Sequence, residues 1–174
     1  MTNHGENPAS GSDFVDHGLI GRGAQVSADQ VYRYSLHRVW DPAHGIAVWV
    51  MLNPSIADAS VDDPTIRRVE GFTRSWGLGG FEVVNLFGLR ATDPRLLARH
   101  SDPVGPDCDE AIMAALARAS LVVAAWGASW PLAQAGRVQA VRGLLGPVHC
   151  LGITQSGQPR HPGRLRADTV LQAF

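Results

Sequence analysis

Ile46-Ala47-Val48-Trp49-Val50-Met51-Leu52, followed at once by Asn53-Pro54-Ser55, is the stretch on which the fold turns. Seven successive apolar residues leave no polar face, the pattern of a central strand covered by helices on both sides. Pro54 bars Asn53 from the helical region, so the chain leaves this strand abruptly.

Upstream, Tyr32, Tyr34 and Leu36 alternate with Arg33, Ser35 and His37, the period of a strand. Asp41-Pro42-Ala43-His44-Gly45 then supplies turn chemistry, and the two runs on either side of it read as a β-hairpin. Residues 1–30, rich in Gly, Asn, Ser and Asp, carry no steady apolar period and read as an irregular N-terminal segment ahead of one α/β domain over 31–174. Downstream, Asp63-Pro64-Thr65 has the form of a helix start, with Ile66, Val69, Phe72 and Trp76 on one face and Gly77 as the stop. A strand over 81–87, a helix over 107–119 carrying Ile112, Met113 and Leu116, a strand over 121–125, a helix over 131–145, a short strand over 148–151 and a last helical turn near Phe174 follow. This order predicts a three-layer sandwich with a mostly parallel central sheet, preceded by a hairpin.

Composition narrows the function classes. An apolar content of 45% is enough for a real core in a chain of 174 residues, the length of a single domain. There is no run long enough to span a membrane, and Met1-Thr2-Asn3-His4-Gly5-Glu6 lacks the basic-then-apolar layout of a secretion signal, so a cytoplasmic protein without a membrane partner is expected. Cys108 and Cys150 stand in unrelated contexts, which argues for two ordinary thiols and against a disulfide framework or zinc site. Neither a metal nor a cofactor is expected. Asp58, Asp62 and Asp63 are close together but without regular ligand spacing, and helix capping is the better role for Asp63. The net charge of -1 gives no global attraction to a polyanion, yet from Pro131 onward five arginines (Arg137, Arg142, Arg160, Arg164, Arg166) stand against one acid, Asp168. Such a segment is either a solvated basic face or a surface for phosphates.

In a parallel sheet the ligand site lies beyond the carboxyl ends of the strands, where loops converge. That rule selects Asn53-Pro54-Ser55, Asn85 to Arg90 with Thr92, Trp126-Gly127, and the loop holding Arg160, His161 and Arg164. Asn53 can orient a water or read an amide-like edge but cannot be a strong base; it can equally do no more than bond its own turn. His161, held between Pro159 and Pro162, is either a surface residue or a neutral imidazole able to donate to a developing oxyanion. Phe87 and Trp126 are each either core or a stacking surface for a planar ligand.

Tyr32-Arg33-Tyr34, Met51-Leu52-Asn53-Pro54-Ser55, Asp63-Pro64-Thr65-Ile66-Arg67, Val84-Asn85-Leu86-Phe87, Ala125-Trp126-Gly127 and Gly157-Gln158-Pro159-Arg160-His161-Pro162 resemble the bacterial and archaeal family called domain of unknown function 1643, in order and over most of the chain. More distantly, Asn53-Pro54-Ser55, Asn85 with Arg90, Trp126-Gly127 and His161-Pro162 resemble the motif order of the uracil-DNA glycosylase superfamily. That resemblance implies a uracil-DNA-glycosylase-like fold, a water-positioning role for Asn53 and a leaving-base role for His161. Pro54, Ser55, Asn85, Arg90, Trp126, Gly127, Arg160 and Arg164 then fall to substrate binding. The sequence departs from it at Ser55, where those enzymes place a tight-turn residue, and at Gly163, where a serine commonly follows His-Pro. The functional expectation is a nucleobase- or nucleic-acid-binding protein, an N-glycosidic hydrolase of glycosylase type. The alternatives are a non-catalytic module for nucleotides or nucleic acid and an enzyme of a small metabolite.

Overall fold

The computed structural model describes residues 20–55, 57, 60–128 and 135–174. Seven strands form one sheet: β1 (Gly21–Val26), β2 (Arg33–Val39), β3 (Ile46–Met51), β4 (Gly80–Asn85), β5 (Leu121–Ala124), β6 (His149–Cys150) and β7 (Gln172–Ala173). Their spatial order is β1-β2-β4-β3-β5-β6-β7. Among the described residues three α-helices, α1 (Pro64–Ser75), α2 (Cys108–Ala117) and α3 (Ala135–Leu144), cover it.

The run 46–52 behaves as its composition demands, since every residue of β3 is buried. On one face Ile66, Val69 and Phe72 of α1 share a cluster with Trp49, Phe81 and Val83. Trp49 stacks on Trp76 at 5.4 Å, and its indole N–H donates to Thr73 Oγ1 at 3.2 Å. On the other face Ile112 and Ala115 of α2 and Val138 and Val141 of α3 meet Val48, Val50 and Val84. These are the three layers expected. Met113 is the exception on α2, being 52% exposed.

The sheet is more mixed than expected. β3 runs parallel to β4 and β5, and β5 to β6, but the pairs β1–β2, β2–β4 and β6–β7 are antiparallel. The predicted hairpin of β2 with β3 does not form, because β4 lies between them. Trp40 and Asp41 both donate to Gly79 O, while Gly79 N–H donates to Gly45 O. The turn at 41–45 thus spans two strand spacings over the start of β4. Only glycine fits there, as a Cβ on residue 79 would lie 1.5 Å from Asp41 O. The hairpin is instead β1–β2, so part of the segment read as irregular is a strand; its glycines hid the alternation. The last element is strand β7 and not a helix, since Phe174 N–H donates to Val148 O and Gln172 pairs with Cys150. Positions 131–134 of the predicted third helix lie outside the described residues, as does Asp58.

The buried carboxylate of the sheet is paired. Glu82, fully buried on β4, accepts from Arg118 Nε at 2.8 Å and Nη2 at 2.9 Å. Asp63 caps α1 as expected, accepting from Ile66 N–H at 2.8 Å. Replacing Trp49 with alanine should remove about 3–5 kcal/mol of stability in urea unfolding, whereas M113A on the solvent face of α2 should stay within about 0.5 kcal/mol.

Candidate functional site

The parallel strands end level with one another, and their backbone bonding continues past the ends. Leu86 and Phe87 donate to Met51 O at 2.9 Å and Leu52 O at 3.0 Å, and Ala125 donates to Val50 O at 2.8 Å. Asn85 faces Met51 across the β3–β4 pair. The loops after β3, β4 and β5 therefore meet on one edge, the edge predicted from the strand ends.

Asn53 is half-buried and holds two of these loops together. Its Nδ2 donates to Ala91 O at 2.6 Å and to Pro54 O at 3.0 Å, while Ala91 N–H donates back to Pro54 O at 2.9 Å. Both partners of the amide nitrogen are carbonyl oxygens, which fixes the orientation of the group. The remaining polar atom, Oδ1, is an acceptor. Pro54 is buried and Ser55 half-buried beside it.

Arg33 closes the inner side of the same loop. Opposite β1, the register shifts so that Gln25 pairs with Ser35 and Val26 with Arg33, leaving Tyr34 as an extra residue. This bulge breaks the alternation: Leu36 joins the α1 face, Tyr34 the α2 face, and Arg33, 3% exposed, donates to Ala57 O. Strict alternation had hidden this arginine among surface residues.

Asn85 is 2% exposed at the end of β4, and its Nδ2 has no hydrogen-bond partner among the described residues. A buried amide without a partner costs about 1–3 kcal/mol, and natural structures retain few of them. By the alternation that puts Phe81 and Val83 in the α1-side core, Asn85 points to that same side.

Trp126 does not present a surface for stacking. It is 1% exposed, its N–H donates to Gln158 Oε1 at 2.9 Å, and its ring meets Phe174 edge-on at 5.6 Å. Phe87 is likewise core. Gly127, at φ 70°, donates to Pro159 O at 2.9 Å, and a Cβ there would lie 3.4 Å from His161 Cβ. The chain reaches this point through a tight return at 153–160, in which Ile153 pairs with Pro159 and Arg160 N–H donates to Gly152 O. His161 thus sits over Gly127, at the end of the strand beside β3. No hydrogen bond joins Asn53 and His161 among the described residues.

His161 begins the turn Pro162–Arg164, and its Nδ1 accepts from Gly163 N–H at 3.2 Å. The atoms packed around the ring push its pKa below the ordinary value by desolvation, while the carboxylate of Asp63 pulls the other way; by surface area the residue is exposed, so the desolvation is partial. Desolvation thus favours the neutral ring, and with Nδ1 accepting from Gly163 the neutral form carries its proton on Nε2.

The late arginines do not act as one basic face. Arg137 turns inward, donating to Leu86 O at 2.6 Å and pairing with Asp109 at 2.6 Å. Arg142 lies over the Phe174 ring at 4.4 Å, and Arg166 pairs with Asp168 at 3.0 Å. Arg160 and Arg164 are exposed on the His161 turn, and no acid pairs with either among the described residues. Arg90 is half-buried and donates to Gln30 O at 3.3 Å and Gln30 Oε1 at 3.4 Å. Gln30, from the β1–β2 turn, was not predicted; the segment that carries it has no apolar pattern to announce it. Cys108, at the start of α2, is buried and its thiol is pushed up to about 11 by desolvation, despite Arg137 nearby. It is not a reactive thiol at neutral pH. Among the described residues no group of acids, histidines and cysteines could hold a metal ion, and no helix is long and apolar enough to cross a membrane.

A family model described as a protein of unknown function (DUF1643) matches residues 33–163. Comparison with curated proteins and with solved structures found no match.

An NMR titration of the His161 ring should give a midpoint below 6.5, and D63N, which keeps a capping group but removes the charge, should lower it further. A midpoint above 6.5 would mean that Asp63 outweighs burial.

Proposed function

The chain belongs to the DUF1643 family, and we propose that the strand-end edge around Asn53, Asn85 and His161 binds a nucleobase and hydrolyses the N-glycosidic bond that holds it. The observation that carries this reading is Asn85, whose buried amide nitrogen has no acceptor among the described residues at the carboxyl end of β4. A base carbonyl is an acceptor of the right kind, and supplying it would remove the cost of the unpaired donor. The distant resemblance to uracil-DNA glycosylases gives the same edge a hydrolytic use.

In that use Asn53 Oδ1 accepts from a water and aims its oxygen at the anomeric carbon. A C–O bond forms as the C–N bond breaks, and the bonding electrons leave with the base. The Nε2–H of neutral His161 donates to the anionic base, which takes its proton from solvent; the proton lost by the attacking water returns to solvent. Asn53 positions the nucleophile without removing a proton, so the charge of the leaving base is the main object of stabilisation. Arg160 and Arg164, on the same turn, favour an anionic ligand nearby.

A panel of oligonucleotides carrying modified or mismatched bases should show loss of a base, abolished in N53A. N85A should weaken binding of the free base roughly tenfold to a hundredfold, as expected for about 1–3 kcal/mol from one buried donor pair. Binding without base loss across the panel would reassign the edge to a non-catalytic nucleotide module. If no base binds and N85A changes nothing, the nucleobase reading is wrong.

A further inference from the structure

Next to Asn53 a groove of about 310 Å³ is lined by Gln30, Ser55, Arg90, Ala91 and Thr92. That volume is at the low end for a ligand pocket, enough for one small group beside a larger one. The groove lies between the β1–β2 turn and the loops after β3 and β4, and it shares Ala91 with the Asn53 tie. We propose that it is a phosphate subsite, in which Arg90, Ser55, Thr92 and the Gln30 amide hold the phosphate of a nucleotide or nucleic acid whose base binds at the adjoining edge. The proposal rests on the nucleobase reading above for its neighbour but has its own geometry.

Its chemistry is that of donors in excess. Arg90 is held from two sides, its backbone N–H on Val31 O at 3.0 Å and one guanidinium nitrogen on Gln30 by two long bonds of 3.3 and 3.4 Å. The rest of the guanidinium fork faces no carboxylate among the described residues. The two acids nearest in sequence are engaged elsewhere: Asp29 accepts from Ser27 Oγ and Val31 N–H, and Asp93 from the Arg95 backbone and side chain. Gln30 Oε1 faces Arg90, which leaves the amide NH2 as a further donor, and the hydroxyls of Ser55 and Thr92 complete the ring. Several donors around one arginine match an anion with several oxygens.

The backbone supports the same assignment. Gln30 has φ 64°, the only non-glycine residue at positive φ among those described. A long side chain is uncommon in that region and strained by it. Here the conformation brings both the carbonyl and the side chain of Gln30 to Arg90. A glycine would make the turn more easily but would supply no side chain to the groove.

The experiment is equilibrium binding by calorimetry to the full chain of a deoxynucleoside, its 5′-monophosphate, inorganic phosphate and a short single-stranded oligonucleotide without terminal phosphates. The monophosphate should bind roughly tenfold to a hundredfold more tightly than the nucleoside, from charge-assisted bonds the nucleoside lacks. R90Q should abolish that advantage and the binding of inorganic phosphate while leaving nucleoside affinity unchanged. S55A, a milder change, should reduce the advantage in part, and an unchanged thermal transition shows that each variant folds. Preference for the oligonucleotide assigns the subsite to a phosphodiester, with a salt slope lower by about one in R90Q. Preference for the mononucleotide assigns it to a monoester. Equal binding of nucleoside and monophosphate, or an advantage that survives both R90Q and S55A, overturns the subsite and leaves the nucleobase reading standing. Phosphate binding lost in R90Q without any nucleoside binding overturns the nucleobase reading and leaves the subsite.

Discussion

Backbone bonding between β3 and β4 that does not stop where the strands stop is the constraint on which the candidate site depends. Leu86 and Phe87 continue the ladder onto Met51 and Leu52, and Ala91 rejoins it at Pro54. Pro54 has no N–H to donate and forces its predecessor out of helical geometry, so a loop beginning Asn-Pro would be free to swing away. The Asn53 amide prevents this by bonding Ala91 O at 2.6 Å. One side chain thus replaces the backbone pairing that proline removes, and it holds the β3 and β4 loops in register for several residues beyond the sheet. Because β5 ends level with them, Gly127 and the turn above it come into the same frame.

Most arginines that flank this frame serve to hold it. Asp62 receives Arg22 at 2.6 Å and Arg38 at 2.7 Å; desolvation opposes its ionisation, but these two cations together keep its carboxyl below the usual range. Arg38 is itself buried, so the Asp62 pair ties the loop before α1 to β2. Arg137 likewise fixes the loop after β4 through Leu86 O. The charges that remain near this edge, on Arg90, Arg160 and Arg164, are few and separate. A net charge of -1 conceals this division between arginines that build and arginines that face outward.

The fold was legible where burial dominates. Seven apolar residues can only be a central strand, and Asp63-Pro64 with Ile66, Val69 and Phe72 can only be a capped helix lying on it. Strand partners were less legible, because an Asp-Pro turn before Gly45 is compatible with crossing over a neighbour as well as pairing with it. Nothing local records that Gly79 must approach Asp41 O. In the site, the residues at strand ends were found by a topological rule, which locates positions but not their surroundings. It therefore selected Trp126, whose position is right but whose indole is enclosed, and passed over Gln30 and Arg33, brought in by a turn and a bulge outside the parallel strands.

What distinguishes this edge of the sheet from the rest is a concentration of local disadvantages. Asn85 is a buried donor without a partner among the described residues, Gln30 occupies a strained conformation, and the surroundings of His161 disfavour its charged form. The first two cost the free protein stability, and neither serves the core, which is complete on both faces without them. Asn85, Gln30 and His161 all stand on or beside loops at this one end of the sheet. Strained backbone and buried polar groups without partners cluster at functional sites, and the groups at this edge are donors: an amide, a guanidinium and hydroxyls, beside an imidazole. The proposed nucleotide would meet them with acceptor oxygens and with negative charge at one end.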